Sequence, residues 1–265
     1  MQLFTAPDNF HTRSADLDAG CAHLVLDTAL DKLLGHRFYY RQRMLAAALR
    51  FSRRWRRHEV GSVTTVLRIL VSPRPQAWSR RLAGEIVDRI AVLCRDTRVV
   101  TRDLAARPPP HPDRDLYEAI LTPTPNDDRR FALSERYIGE LEEADVVVIG
   151  TPVNNFAIPS TLKAWVDHIV RIRRTFRSTP DGKIGLLRDR PVIIASAHGG
   201  YVSTPPMQPD FLTPYMQTIF ATIGIASVAF VRLEGMARGP EAAAQALDAA
   251  RSWIDQDLPR LLNRR

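Results

Sequence analysis

Three short stretches of the chain gather hydroxyl, amide, aromatic and glycine residues in patterns that could hold a ligand. The first is SPRPQAWSRR, residues 72–81, where Ser72 leaves an apolar run and Ser79 stands at the start of a helical pattern. Hydroxyls beside the unpaired amides of a helix N-terminus suit a phosphate, and Arg74, Arg80 and Arg81 add positive charge. A plain N-cap role for Ser79 is the alternative. The second stretch is TPVNNFAIPS, residues 151–160. The amides of Asn154 and Asn155 are poor core material but can read the edge of a planar heterocycle, with Phe156 as one wall. Asparagine also favours turns for its own sake. The third is SAHGGYVSTPP, residues 196–206. Gly199 and Gly200 allow close backbone approach or positive φ. His198 could hydrogen-bond a ring carbonyl, although a lone loop histidine is more often solvated.

The elements that must position these stretches are legible in the hydrophobic periodicity. Strand patterns cover 66–71, 98–104, 145–150, 191–197 and 226–235; helical patterns cover 78–94, 129–144, 159–172, 210–224 and 239–258. Residues 105–128 are proline-rich and read as a long surface loop with at most a short helical turn. Pro159 falls near a helix start, and Gly224 at a helix stop. Apolar strands alternating with helices predict an α/β fold: a doubly wound, flavodoxin-like sandwich with a five-stranded parallel sheet in the order 2-1-3-4-5 and helices on both faces. Ligands in such sheets bind beyond the carboxyl ends of the strands, and all three stretches fall there.

Missing motifs narrow the ligand. No GxGxxG follows the first strand and no GxxxxGK[ST] occurs; HExxH and GxSxG are also absent. A phosphate site without these motifs, beside a ring-sized cleft, points to a mononucleotide, with flavin mononucleotide (FMN) the natural candidate. Cys21 and Cys94 match no zinc or CxxC spacing, so no metal is expected and a reducing cytoplasm is the simplest setting. No apolar run approaches the roughly 20 residues of a membrane span, and the opening stretch reads as no secretory signal.

The formal charge of +8 is local. Residues 36–59 carry eight arginines against Glu59 alone, and without that stretch the charge falls to +1. Residues 1–61 therefore read as a basic, poorly patterned extension, partly disordered or helical, preceding a domain at 62–265. Only three of the 37 basic residues are lysines (Lys32, Lys163 and Lys183), as expected of GC-rich coding DNA, and one expectation is that translation starts at Met44 or later. The rival is a basic arm for nucleic acid, disfavoured because it lacks a clean apolar face.

Residues 66 to about 258 resemble the FMN-dependent NADH-azoreductase (NADH:quinone oxidoreductase) family. The resemblance rests on SPRPQAWSRRLA, ADVVVIGTPVNNFAIPSTLKAWVDHIVR, TFR at 175–177, GGY after the fourth strand, and TPYMQTIFATIGI with EG and GPE downstream. It implies FMN at the interface of a homodimer. It also implies ping-pong transfer of two electrons from NADH or NADPH to a quinone or azo compound. By position, Ser72 and Ser79 would hold the phosphate; Pro152, Val153, Asn154, Asn155 and Phe156 would line the isoalloxazine. Ala197, His198, Gly199 and Gly200 would face its other edge. No residue is expected to do acid–base catalysis, since the flavin carries the chemistry, but His198 could act electrostatically. Ala77 replaces the family's second phosphate hydroxyl, Val153 and Asn154 replace Met-Tyr, and Ala197 and His198 replace a Ser-Arg pair; Arg74 or Arg80 could offset the lost hydroxyl. Quinone reduction is thus the firmer expectation than azo reduction. An electron carrier without turnover is the alternative.

Overall fold

The computed structural model describes residues 63–94 and 96–263. The basic extension at 1–61, with its expected start at Met44, lies outside the described residues. β1 (Thr64–Leu70) is followed by α1 (Trp78–Leu93), β2 (Thr97–Asp103), α2 (Arg114–Leu121), α3 (Ala132–Glu143), β3 (Val146–Pro152) and α4 (Ser160–Ile169). The hairpin strands β4 (Phe176–Thr179) and β5 (Gly182–Gly185) come next, then β6 (Val192–Ala197), α5 (Leu212–Ile223), β7 (Val228–Leu233), α6 (Pro240–Gln256) and α7 (Leu258–Asn263). The main sheet has the order β2-β1-β3-β6-β7, and every neighbouring pair is parallel. Counting the sheet strands alone, this is the expected order 2-1-3-4-5.

Strand periodicity assigns the two faces. Val66 and Leu70 of β1, Val146 and Val148 of β3, and Ile193 and Ala195 of β6 pack with Leu82, Ile86 and Ile90 of α1 and Ala250 and Ile254 of α6. The intervening residues Leu67, Ile69, Val147, Ile149 and Ile194 face Tyr137 and Leu141 of α3, Leu162 and Trp165 of α4, and Met216 and Phe220 of α5. Two apolar faces per strand explain why these segments read as continuous apolar runs. β2 is the exception: it is an edge strand, and Val99 on it is exposed.

Three local features differ from the sequence reading. The proline-rich stretch holds α2, a two-turn helix whose N-cap Asp113 accepts a hydrogen bond from the Leu116 amide at 2.8 Å. Residues 176–185, given no element above, form the antiparallel β4–β5 hairpin. Its signal was present in Pro180-Asp181-Gly182, a turn sequence in which Gly182 takes φ 116°. The expected helix at 129–144 opens instead as a 3₁₀ turn, Arg129–Phe131. Gly224 ends α5 with φ 104°, as expected of a left-handed C-terminal glycine. Among the described residues no helix is long and apolar enough to cross a membrane.

Candidate functional site

Gly150 in β3 sets how closely α1 approaches the sheet. A Cβ there would lie 2.6 Å from the Ser79 carbonyl oxygen and 2.9 Å from Ala83 Cβ. The close approach buries Ser79 completely in the first turn of α1, and among the described residues its Oγ has no hydrogen-bond partner. Ser79 is not the N-cap. That position is Ala77, which offers no side-chain cap; the Arg80 amide donates to the Ala77 carbonyl at 3.0 Å, and the Trp78 and Ser79 amides are left to other acceptors. A buried hydroxyl without a partner is rare in folded proteins, because it forfeits its bonds to water. Beside it, Ser72 is also buried, and its Oγ accepts from the Arg74 amide at 3.3 Å. A hydroxyl that accepts in this bond keeps its proton free to donate.

The two arginines proposed for this loop part company. The Arg74 side chain is exposed. Arg80 does not point a free cation at the loop: its Nη1 and Nη2 each bind the Asp103 carboxylate at 2.8 Å, and its Nε donates to the Ser72 carbonyl at 2.6 Å. The guanidinium holds the Asp103 carboxyl below the usual carboxylate range. Arg80 therefore ties α1 to β2 and shapes the loop through the Ser72 backbone. Three of its five N–H donors are engaged there, which leaves two. Arg81 stacks over Trp78, 4.6 Å from the ring centre.

Beyond β3 the chain reverses in two residues. The Asn154 amide donates to the Ala157 carbonyl and the Ala157 amide to the Asn154 carbonyl, both at 3.0 Å. Between them Asn155 (φ 48°) and Phe156 (φ 67°) are both left-handed. Asparagine tolerates this conformation, but for a phenylalanine it is strained. Little packing repays the strain, because Phe156 is 45% exposed. Strain of this kind collects at ligand sites. Pro152 pairs with Ala197 of β6, and the Val153 amide donates to the Ala197 carbonyl at 2.9 Å, so the loops after β3 and β6 emerge side by side.

Those two loops and the one after β7 enclose a cleft of about 460 Å³. Val153, Asn155, Phe156, His198, Gly199 and Gly200 all line it. Pro152, Asn154 and Ala197 do not line it. Neither cleft glycine takes positive φ. A Cβ at Gly200 would meet the end of the flexible Gln208 side chain at 2.5 Å, which would have to swing aside; at Gly199 the nearest atom would be 3.7 Å away. His198 is only 2% exposed, so the solvated-loop reading fails. Its Nε2 lies 2.9 Å from Ser196 Oγ. Burial pushes its pKa below the ordinary imidazole value, against the opposing pull of Asp210 and Glu234.

Val202, Gln208, Pro209, Ala237 and Arg238 also line the cleft, and sequence reasoning did not single them out. The available signal was the position of EGMARGPE, which follows the last strand at the rim where such sheets bind ligands.

The parallel order and the loops converging beyond the strand ends define a doubly wound protein of the flavodoxin-like class. A family model described as the flavodoxin-like fold matches residues 64–258. FMN-dependent NADH:quinone oxidoreductase 2 of Cupriavidus pinatubonensis is 44% identical over 194 residues, covering 71% of this chain and 94% of that protein. FMN-dependent NADH:quinone oxidoreductase 4 of Pseudomonas fluorescens is 43% identical over 194 residues, covering 72% and 94%. Among solved structures, an azoreductase from Bacillus anthracis matches with a TM-score of 0.66 at 25% identity, over 75% of this chain and 100% of that one. The chain belongs to the family of the FMN-dependent NADH:quinone oxidoreductases.

Proposed function

We propose that the protein is an FMN-dependent oxidoreductase that passes two electrons from NADH or NADPH to a quinone, with azo compounds as further acceptors. The observation that carries this reading is the buried, partnerless Ser79 hydroxyl at the uncapped N-terminus of α1. An apolar protein interior does not leave a hydroxyl in that state without cost; rotated toward the helix end, it would meet an anionic ligand together with the Trp78 and Ser79 amides. The residues present fit the flavin mononucleotide named in the relatives' activity. Ser79, the proton of the Ser72 hydroxyl and the Trp78 and Ser79 amides would hold the phosphate. The Asn155–Phe156 turn and the Gly199–Gly200 backbone would flank the ring. When bound, FMN would supply two-electron chemistry that none of these side chains has.

The chain's own contribution is binding, orientation and electrostatics. The strained turn fixes Phe156 at the mouth of the cleft, where it covers a planar ligand and excludes water. His198, neutral and held at Ser196, provides a buried imidazole beside the ring site. NAD(P)H and acceptor would use the one cleft in turn, which is the basis for a ping-pong order. A homodimer with the cleft at its interface would complete the wall that the exposed Phe156 leaves open. The reducing cytoplasm remains the proposed setting.

The test is an absorption spectrum of the purified protein before and after anaerobic NADH, followed by NADH oxidation with added quinone. A yellow protein bleached by NADH and reoxidised by quinone supports the reading. A colourless protein that takes up no FMN overturns it.

A further inference from the structure

Arg238 stands on the cleft wall with no assigned role. The chain reaches it from β7 through a turn in which the Arg238 amide donates to the Gly235 carbonyl at 2.8 Å. Gly235 has φ 70°, and a Cβ there would lie 2.7 Å from the Tyr201 ring. The Met236 amide donates to the His198 carbonyl at 3.0 Å and the Ala237 amide to the Gly199 carbonyl at 3.1 Å. The segment carrying Arg238 is thus stitched to the cleft glycines rather than hanging free.

The surrounding charges are accounted for, and Arg238 is not. Glu234 accepts from the Val202 and Ser203 amides and from Ser203 Oγ at 2.8–3.0 Å. Asp210 accepts from the Thr213 amide at 2.9 Å and lies 3.9 Å from Arg232. Among the described residues, the Arg238 guanidinium has no hydrogen bond and no ion pair. Arg238 is exposed at the cleft rim, and a hydrated guanidinium that no protein carboxylate engages is a ready partner for a planar anion, which it can bind through two parallel N–H donors.

We propose that Arg238 selects acceptors bearing an anionic group, an aryl carboxylate or sulfonate, beside the reducible ring. This rests on the reading of the cleft as the acceptor site. One arm of the test is calorimetric titration of the FMN-loaded chain and its Arg238→Gln variant with naphthalene-2-sulfonate and the isosteric, neutral naphthalene-2-sulfonamide. The wild type should prefer the sulfonate by about fivefold, the upper range for a solvent-accessible ion pair. The preference should shrink with added salt and vanish in the variant. In turnover, the variant should raise KM for a naphthoquinone sulfonate more than for methylnaphthoquinone, with NADH and NADPH KM values measured in parallel. Equal preference in both proteins overturns the proposal, as does a change confined to NADPH, which would assign Arg238 to the 2′-phosphate. Loss of NADH oxidation with every quinone in the wild type would instead count against the oxidoreductase reading, while the titration still decides the role of Arg238.

Discussion

Ser79→Ala should have opposite effects on the ligand-free and the FMN-bound protein. In the free protein the Ser79 hydroxyl is fully buried and makes no hydrogen bond. Burying such a group costs about 1–3 kcal/mol in protein contexts. Alanine removes that penalty and leaves a gap of one oxygen, so a net gain of about 1 kcal/mol is expected. For a domain of this size that raises Tm by roughly 2–4 °C. In the bound protein the hydroxyl would donate to a phosphate, a charged acceptor, and its loss should weaken FMN binding by about 2 kcal/mol, roughly thirtyfold in Kd. The assay pairs calorimetry of the apoprotein with fluorescence titration of FMN, on wild type and variant. Lower apoprotein stability together with an unchanged FMN Kd would refute the reasoning, because it would mean that the hydroxyl serves the fold.

Gly150→Ala should destabilise by about 1–3 kcal/mol in urea unfolding, since the new methyl must displace backbone and Ala83, and it should weaken FMN binding by shifting α1. Phe156→Gly should hold or raise Tm by relieving a left-handed phenylalanine at a cost recovered of about 1 kcal/mol, while raising KM for the quinone by removing the ring wall. Stability should fall as pH drops below about 6.5, the unfolded histidine value. His168 and His198 are both held below it, mainly by burial, so between the folded and unfolded pKa values the unfolded chain binds more protons and stability rises with pH. At His168 burial outweighs the Nε2 bond to the Pro110 carbonyl at 3.0 Å, which pulls the other way. Urea midpoints at pH 5 and pH 7.5 for wild type, His168→Gln and His198→Gln should show a smaller pH difference in each variant.

The sheet order followed from the sequence, because it depends on local periodicity. Apolar runs such as Val146–Ile149 need cover on both sides, and helices of the right length lie between them. Right-handed crossovers leave few ways to arrange such units. The β4–β5 hairpin and α2 were harder to read because their signals, a Pro-Asp-Gly turn and an aspartate cap, lie inside stretches otherwise dominated by proline and charge.

Within the site, residue type showed which loops matter but not what each side chain does. Arg80 read as a phosphate ligand; Asp103, 23 residues away in sequence, engages two of its N–H donors. For His198 a solvated loop position was the alternative to a place at the ring edge; it is buried, and the chain after β7 bonds its carbonyl through the Met236 amide. Ser79 read as a phosphate ligand with a helix cap as the alternative; it is not the cap, and the absence of a Cβ at Gly150 lets α1 settle onto β3 and bury its hydroxyl. Periodicity and turn chemistry are properties of neighbours along the chain and can be read from it directly. Burial, ion pairing and an unsatisfied hydroxyl depend on what distant segments bring to the same point, and only the packed tertiary structure decides that.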